Sequence, residues 1–465
     1  MAVNEIGATN IQGNSLAGFN KDHQAFLFVR FRDALSARAW LGTLVPRISP
    51  LSEVLDFSNL RRSMIGRLGR EPRSLAVTWI NVAFSARGIG MLKREGDDLE
   101  EDAFNVGLAG GRSDILGDPP DRSQWKVGGT EKTSADALVM VASDVATHLK
   151  KVVRELRAAI KAAKHKLLFV QEGHALEGDL RGHEHFGFRD GVSQPGVRGV
   201  TKSPKPGQSM IWPGQFVLGL PRQDDANPAQ PLEPLPCPDW AKNGSFVVFR
   251  RLRQDVKGFW QTMNDEAARI GAGAEFPGLD PTRLASMLVG RWPSGAPFVL
   301  SPKADNPDLG HSNDFIFGND DTFPPVCPFA AHIRKVNPRE DPVEGGGPNS
   351  TLTRRFLRRG IPYSDGAADQ GLLFVSYQTS IQNQFEFVSQ QWANSEHLPV
   401  VPPGGVSGFD AIIGQNADGA RERSSMLFTA TGTATAVKLT QDFVVPTGGG
   451  YFFSPSISTL RTWAS

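Results

Sequence analysis

Ala25-Phe-Leu-Phe-Val-Arg30 is echoed by Ser245-Phe-Val-Val-Phe-Arg250, and each run leads into a segment of helical character, Ala34–Leu44 and Val256–Asp265. Leu167-Leu-Phe-Val170 recurs as Leu372-Leu-Phe-Val375 at a similar offset. Two strand-then-helix openings, each followed by the same apolar strand, predict a duplicated architecture in which one half repeats the plan of the other. Strands and helices alternate irregularly, without the short strand-helix-strand units of a doubly wound sheet, which points to an α+β fold with antiparallel sheets. At 465 residues the chain exceeds what one core usually supports, so two domains are expected, 1–220 and 221–465. The division falls at the stretch from Pro204 through Pro228, Pro231, Pro234, Pro236 and Pro238, which can be neither regular helix nor central strand.

In the first half Ala137–Ala142 reads as a strand, and Ser143 or Asp144 as the N-cap of a helix with an apolar face of Val145, Leu149, Val152, Leu156 and Ile160. Its basic face is read as solvated surface. The 50 basic and 49 acidic residues leave a formal charge of +1, spread along the chain, which argues against nucleic-acid or anionic-membrane partners. No apolar run approaches the roughly 20 residues of a spanning helix. The opening MAVNEIGATN has neither a basic nor an apolar leader region, which fits a cytoplasmic protein; a mature secreted form given a new initiator Met would read the same. Two cysteines, Cys237 and Cys327, are expected to be free thiols in a chain of this length.

Two segments carry chemistry. CPFAAHIRKVNPR at 327–339 sets His332 behind Phe329, Ala330 and Ala331, apolar neighbours that would exclude water from an imidazole bound axially to haem iron. Arg334 could then meet a haem propionate as a charge-assisted pair. In Gly187-Phe-Arg-Asp-Gly191 two glycines permit a tight turn close to a flat cofactor, placing the Asp190 carboxylate to move protons. Alone, each segment fits a packed histidine or a plain turn equally well. A different chemistry is open to His183-Glu-His185, with His174 and Glu172 nearby, since strand residues two apart face one way and could share a non-haem metal.

Taken together, GFRDGVSQPG at 187–196, CPFAAHIRKVNPR at 327–339, RRGIPY at 358–363, GLLFVSYQ at 371–378 and FVVPTGGGYFFSPS at 443–456 resemble the dye-decolourising peroxidases of the larger fungal and bacterial type. IQGN at 11–14 and FVLG at 216–219 extend the resemblance through nearly the whole chain. It implies two ferredoxin-like halves, each an antiparallel sheet with peripheral helices, in a dimeric α+β barrel-like arrangement with one haem b in the second half. It also implies His332 as the iron ligand, Asp190 as the distal acid-base residue and Arg358, rather than Arg359, as the distal arginine. Leu372 and Phe374 would line the distal side, and Asp442 would hydrogen-bond the proximal imidazole. Gly360 stands where some relatives carry an asparagine.

The activity so implied is oxidation of bulky aromatic donors (anthraquinone-type dyes, phenols or lignin-like compounds) by hydrogen peroxide through a ferryl intermediate, in a monomer or homodimer. A carboxylic base titrating near its ordinary value of about 4 predicts an optimum in mildly acidic solution. Bulky donors cannot reach a haem beneath Leu372 and Phe374, so electrons are expected to pass through an aromatic near the surface, Tyr363 before Trp392. A haem carrier without turnover would share His332 but would need neither Asp190 nor Arg358.

Overall fold

The computed structural model describes residues 6–70, 75–321, 325–341, 343, 349–400, 405–415, 423–429 and 431–465. Nine strands form the main sheet: β1 His23–Arg30, β2 Thr78–Phe84, β3 Ala137–Ser143, β4 Lys166–His174, β5 Ser245–Gln254, β6 Leu357–Arg358, β7 Ile361–Ser364, β8 Gln370–Gln378 and β9 Val444–Ser454. Their order is β6-β8-β5-β9-β2-β3-β1-β4, with β7 also on β8, and every pairing is antiparallel. The first four strands, with helices α1 (Ala34–Leu44), α2 (Leu51–Leu68) and α3 (Ala146–Ala162), give the 4-1-3-2 order of a ferredoxin-like half.

The internal echo is structural. Its first motif lies in β1 and β5, and each LLFV strand, β4 or β8, pairs directly with its own half's copy. The helix after β5, α4 (Val256–Gly271), matches α1 after β1. The halves meet where Phe453 of β9 pairs with Phe84 of β2. At the far ends β4 approaches β7 so closely that a Cβ on Gly173 would lie 2.6 Å from the Ile361 side chain. The result is an α+β barrel, wrapped by helices.

Alternation along the strands separates two faces. Phe26 and Phe28 of β1, Phe249 of β5 and Leu373, Val375 and Tyr377 of β8 fill the barrel. The Phe249 ring lies 5.4 Å from Phe26 and 4.9 Å from Phe28, joining the halves. On the outer face Leu27, Val29, Ile80 and Val82 pack with Trp40 and Leu41 of α1 and with Leu149, Val153, Leu156 and Ile160 of α3. The buried stripe of α3 thus uses Val153, with Val152 only half-buried. Its N-cap is Val145, not Ser143 or Asp144: Asp144 is engaged by Lys21 Nζ at 2.8 Å instead. Both cysteines are free thiols, and no helix among the described residues is long and apolar enough to cross a membrane.

In the second half, α5 (Pro281–Val289) and a single turn, α6 (His332–Lys335), cover the outer face of β5 and β8. A four-residue helix cannot hold itself, and Arg334 fixes this one. The guanidinium donates to Asp341 at 2.6 and 2.9 Å, to Asp321 at 2.8 Å and to the Cys327 carbonyl at 2.7 Å, between the rings of Phe317 and Phe329. So engaged, and 2 % exposed, Arg334 is a structural pin and is not available to a propionate, contrary to the sequence expectation.

Two stability outcomes follow. Phe249→Ala removes a ring packed on both halves and should lower the stability read from urea unfolding by about 3–5 kcal/mol. Arg334→Met strands two buried aspartates and should cost roughly 3–5 kcal/mol in the same measurement; if instead stability held, the pin assigned here would be incorrect.

Candidate active site

Leu252 and Gln254 of β5, Leu372 of β8 and Val444 of β9 share the outer face and floor a cavity with about 1340 Å³ of empty space, part of it open to solvent. Ile333, Val336, Ile412, Ile413 and Trp392 extend the apolar wall, and His332, Asp190 and Arg358 all open onto the space.

His332 projects from α6 with its Nδ1 2.8 Å from Asp410 Oδ2. Asp410 is fully buried, and its Oδ1 accepts from the N–H groups of Ile412 and Ile413 at 2.8 and 3.0 Å. Burial alone would raise this carboxyl, but His332 and the two N–H groups outweigh it and hold Asp410 below the ordinary carboxylate range. An ionised Asp410 makes Nδ1 the donor, which leaves the Nε2 lone pair free for a metal. Sequence reasoning named the wrong aspartate: Asp442 pairs with Arg423 at 3.2 Å, and Arg423 in turn donates to the Asp410 carbonyl. Asp410 lies 78 residues from His332 in an irregular segment with no motif to mark it.

Asp190 closes a hairpin, its N–H donating to the Gly182 carbonyl at 3.0 Å. Gly187 and Gly191 take φ of +95° and +72°, a region that penalises a Cβ and explains both glycines of the motif. The Gly191 N–H donates to Asp190 Oδ1 at 2.6 Å, and Oδ2 lies outside that bond. Arg358 is anchored by its N–H to Gln194 Oε1 at 3.2 Å and lines the same cavity. Arg359 instead donates to the carbonyls of Asn14 and Leu16 at 3.0 Å each, a structural task away from the cavity. Asp190 and Arg358 also line a second, more polar cavity with Asn14, His183 and Gln194.

Leu372 stands on the wall as expected. Phe374, one pleat along, packs on Phe356 and Phe385 at 6.1 and 5.7 Å between ring centres, and Phe356 takes the place on the wall. Tyr363 is not near the surface: it is fully buried, 4.1 Å beneath the Arg251 guanidinium, and burial pushes its phenol well above the ordinary value. Trp392 does line the cavity, 5.5 Å from Phe387. His183 and His185 do not converge on a metal: His185 Nε2 lies 2.9 Å from the Tyr363 carbonyl, and no group of three or more candidate ligands occurs among the described residues.

Sequence reasoning also missed the cavity's charge. Arg291, Arg339 and Arg355 line it, and none forms a salt bridge among the described residues. Burial, and for Arg291 and Arg355 the neighbouring guanidiniums, push Arg291 and Arg355 down to about 9; burial takes Arg339 to about 10. Such unbalanced positive charge calls for an anionic ligand. Arg339 lies in the quoted histidine motif and Arg355 just before Arg358, yet an arginine in sequence gives no sign of whether an aspartate will meet it.

A family model described as the DyP dimeric alpha+beta barrel domain matches residues 10–181, and one described as Dyp-type peroxidase, C-terminal, matches 294–399. The dye-decolorizing peroxidase msp1 of Mycetinis scorodonius is 33% identical, over 98% of this chain and 87% of that protein. The multifunctional dye peroxidase DyP2 of an Amycolatopsis strain is 29% identical over 97% and 95%. The structure of an ancestral D-type dye decolorizing peroxidase superposes with a TM-score of 0.83 at 34% identity, covering 98% of this chain and 99% of that one. A dye-decolorizing peroxidase solved with 2,6-dimethoxyphenol superposes at 0.78 with 33% identity, covering 98% and 99%. With its barrel, its histidine-aspartate pair and its GxxDG hairpin in one frame, this chain belongs to the DyP-type peroxidase family.

Proposed function

We propose that this peroxidase binds haem b and uses hydrogen peroxide to oxidise aromatic donors, bulky dyes and phenols among them. The observation that carries the reading is His332, with Nδ1 held by Asp410 and Nε2 outside that bond, in an apolar cavity whose lining arginines Arg291, Arg339 and Arg355 form no salt bridge among the described residues. The residues fit the group: an imidazole lone pair for the iron, aliphatic walls for the porphyrin, and Arg339 and Arg355 as cations for its two carboxylates. Haem, when bound, supplies the two-electron reduction of peroxide and hands the oxidising equivalents on to donors.

The chain's own part is proton handling and charge. Asp190 Oδ2 takes the proton from one peroxide oxygen and returns it to the other, while Oδ1 stays fixed by the Gly191 N–H. Arg358 faces the charge that develops as the oxygen–oxygen bond breaks. Asp410 keeps the imidazole oriented and electron-rich. Trp392, on the wall and against the half-buried Phe387, offers an aromatic path for electrons from donors too large to enter.

Absorption spectra of the haem-supplemented chain before and after one equivalent of peroxide test the reading. A haem band that shifts and is restored by a phenolic donor supports it; a band indifferent to peroxide would indicate a carrier. Asp190→Asn should slow the peroxide step by roughly 10²–10⁴-fold with haem still bound. Trp392→Phe should depress oxidation of an anthraquinone dye several-fold more than that of a small phenol, and equal losses on both would exclude this path.

A further inference from the structure

Glu184 lies in the His183-Glu-His185 segment and has no part in the scheme above, yet it is wired into the hairpin that presents Asp190. Its backbone N–H donates to the Phe188 carbonyl at 3.0 Å, and its carbonyl accepts from Gly187 N–H at 2.9 Å. The side chain folds back into the same turn. Oε2 accepts from Phe186 N–H and Oε1 from Phe188 N–H, both at 2.9 Å. A third donor comes from the other half of the molecule, the Gln254 amide at the end of β5. Glu184 therefore both shapes the GxxDG hairpin from within and ties it to the strand that floors the cavity.

Gln254 supplies the second clue. It is 7 % exposed, and its Oε1 is buried without a partner. Turning the amide over would bring Oε1 to the Glu184 carboxyl, which would then have to donate, and so carry a proton. Both arrangements keep one bond between the side chains and leave one amide atom unpartnered, so bond count favours neither. One proton decides between them.

We propose that Glu184, latched to Gln254, is the positioning residue of the Asp190 hairpin, and that its gain or loss of one proton sets the electrostatic field in which Asp190 works. Burial, opposed by its three donors and reinforced by the Asp190 charge, pushes the Glu184 carboxyl up to about 7. Asp190 is the charged group that acts on it from the hairpin, and β5 meets it with the uncharged Gln254. Below that point Glu184 is neutral; above it Glu184 carries a charge that the neighbouring Asp190 opposes. The same raised value favours folding fully below the ordinary 4.5, and that contribution is lost as pH rises through about 7.

The inference rests on the peroxidase reading for its consequence, but the latch can be observed without turnover. Infrared spectra of the full chain, with and without haem, should contain a protonated-carboxyl band that disappears with a midpoint near neutral pH in the wild type and is absent from Glu184→Gln. In the pH profile of the peroxide step, Glu184→Gln should remove the neutral inflection, changing the ratio of rates at pH 5.5 and pH 8 at least threefold. Gln254→Leu, which keeps both carboxyls, should move the infrared midpoint upward by removing a donor to the ionised form. No band, a band retained in Glu184→Gln, or an unmoved midpoint in Gln254→Leu would each overturn the latch. A titrating band in a chain that ignores peroxide would count against the peroxidase reading and leave the latch standing, whereas peroxide reactivity with an unchanged inflection in Glu184→Gln would overturn the control of Asp190 alone.

Discussion

The structure depends on a strand that is buried on both faces. In β5 the odd-numbered Val247, Phe249 and Arg251 point into the barrel, while the even-numbered Leu252 and Gln254 point outward to the cavity floor. Because side chains alternate with period two, a slip of one residue would exchange these sets, moving Leu252 and Gln254 into the barrel and Phe249 and Arg251 into the site. Packing of the Phe249 ring against Phe26 and Phe28 fixes the register, and with it the floor of the site. The core and the cavity are thus two readings of one alternation.

Charge within the cavity follows a complementary rule. Three buried arginines elsewhere in the molecule are matched by carboxylates: Arg250 with Asp118, Arg251 with Asp365 and Asp369, Arg334 with Asp321 and Asp341. Around the cavity Arg291, Arg339 and Arg355 form no salt bridge among the described residues; Arg291 and Arg339 donate instead to neutral oxygens, among them the Ser312 and Phe315 carbonyls. Cations gathered without carboxylate partners around one cavity suit a ligand of opposite charge. On the opposite side of the imidazole the polarity reverses, with Asp410 as the anion that settles which nitrogen carries the proton.

What the sequence made legible was whatever local pattern dictates. The duplicated strand-helix openings announced the two-fold plan, since strand alternation and helix periodicity are encoded in consecutive residues. The two glycines of GxxDG announced a tight turn at Asp190, and the apolar run before His332 announced a sheltered imidazole. What stayed hidden was pairing across long chain separations. Arg334 was matched with a ligand carboxylate although two aspartates of the chain hold it, Asp442 was credited with a bond that Asp410 makes, and Tyr363 was placed near the surface although it lies inside the barrel. Phe374 shares the face of Leu372 but is displaced from the wall by Phe356, a neighbour that strand alternation alone cannot supply. In each case the residue type was compatible with two partners, and the choice was made by loops whose paths no periodicity describes.

His332 stands on a helix of one turn, held from outside by Asp321 and Asp341 through Arg334, and by the carbonyls of Ser395 and Leu398 through Lys335. None of these anchors belongs to a barrel strand. The position of the imidazole is therefore written in irregular segments and not in the sheet, so a substitution confined to those loops can shift His332 while the strand order stands.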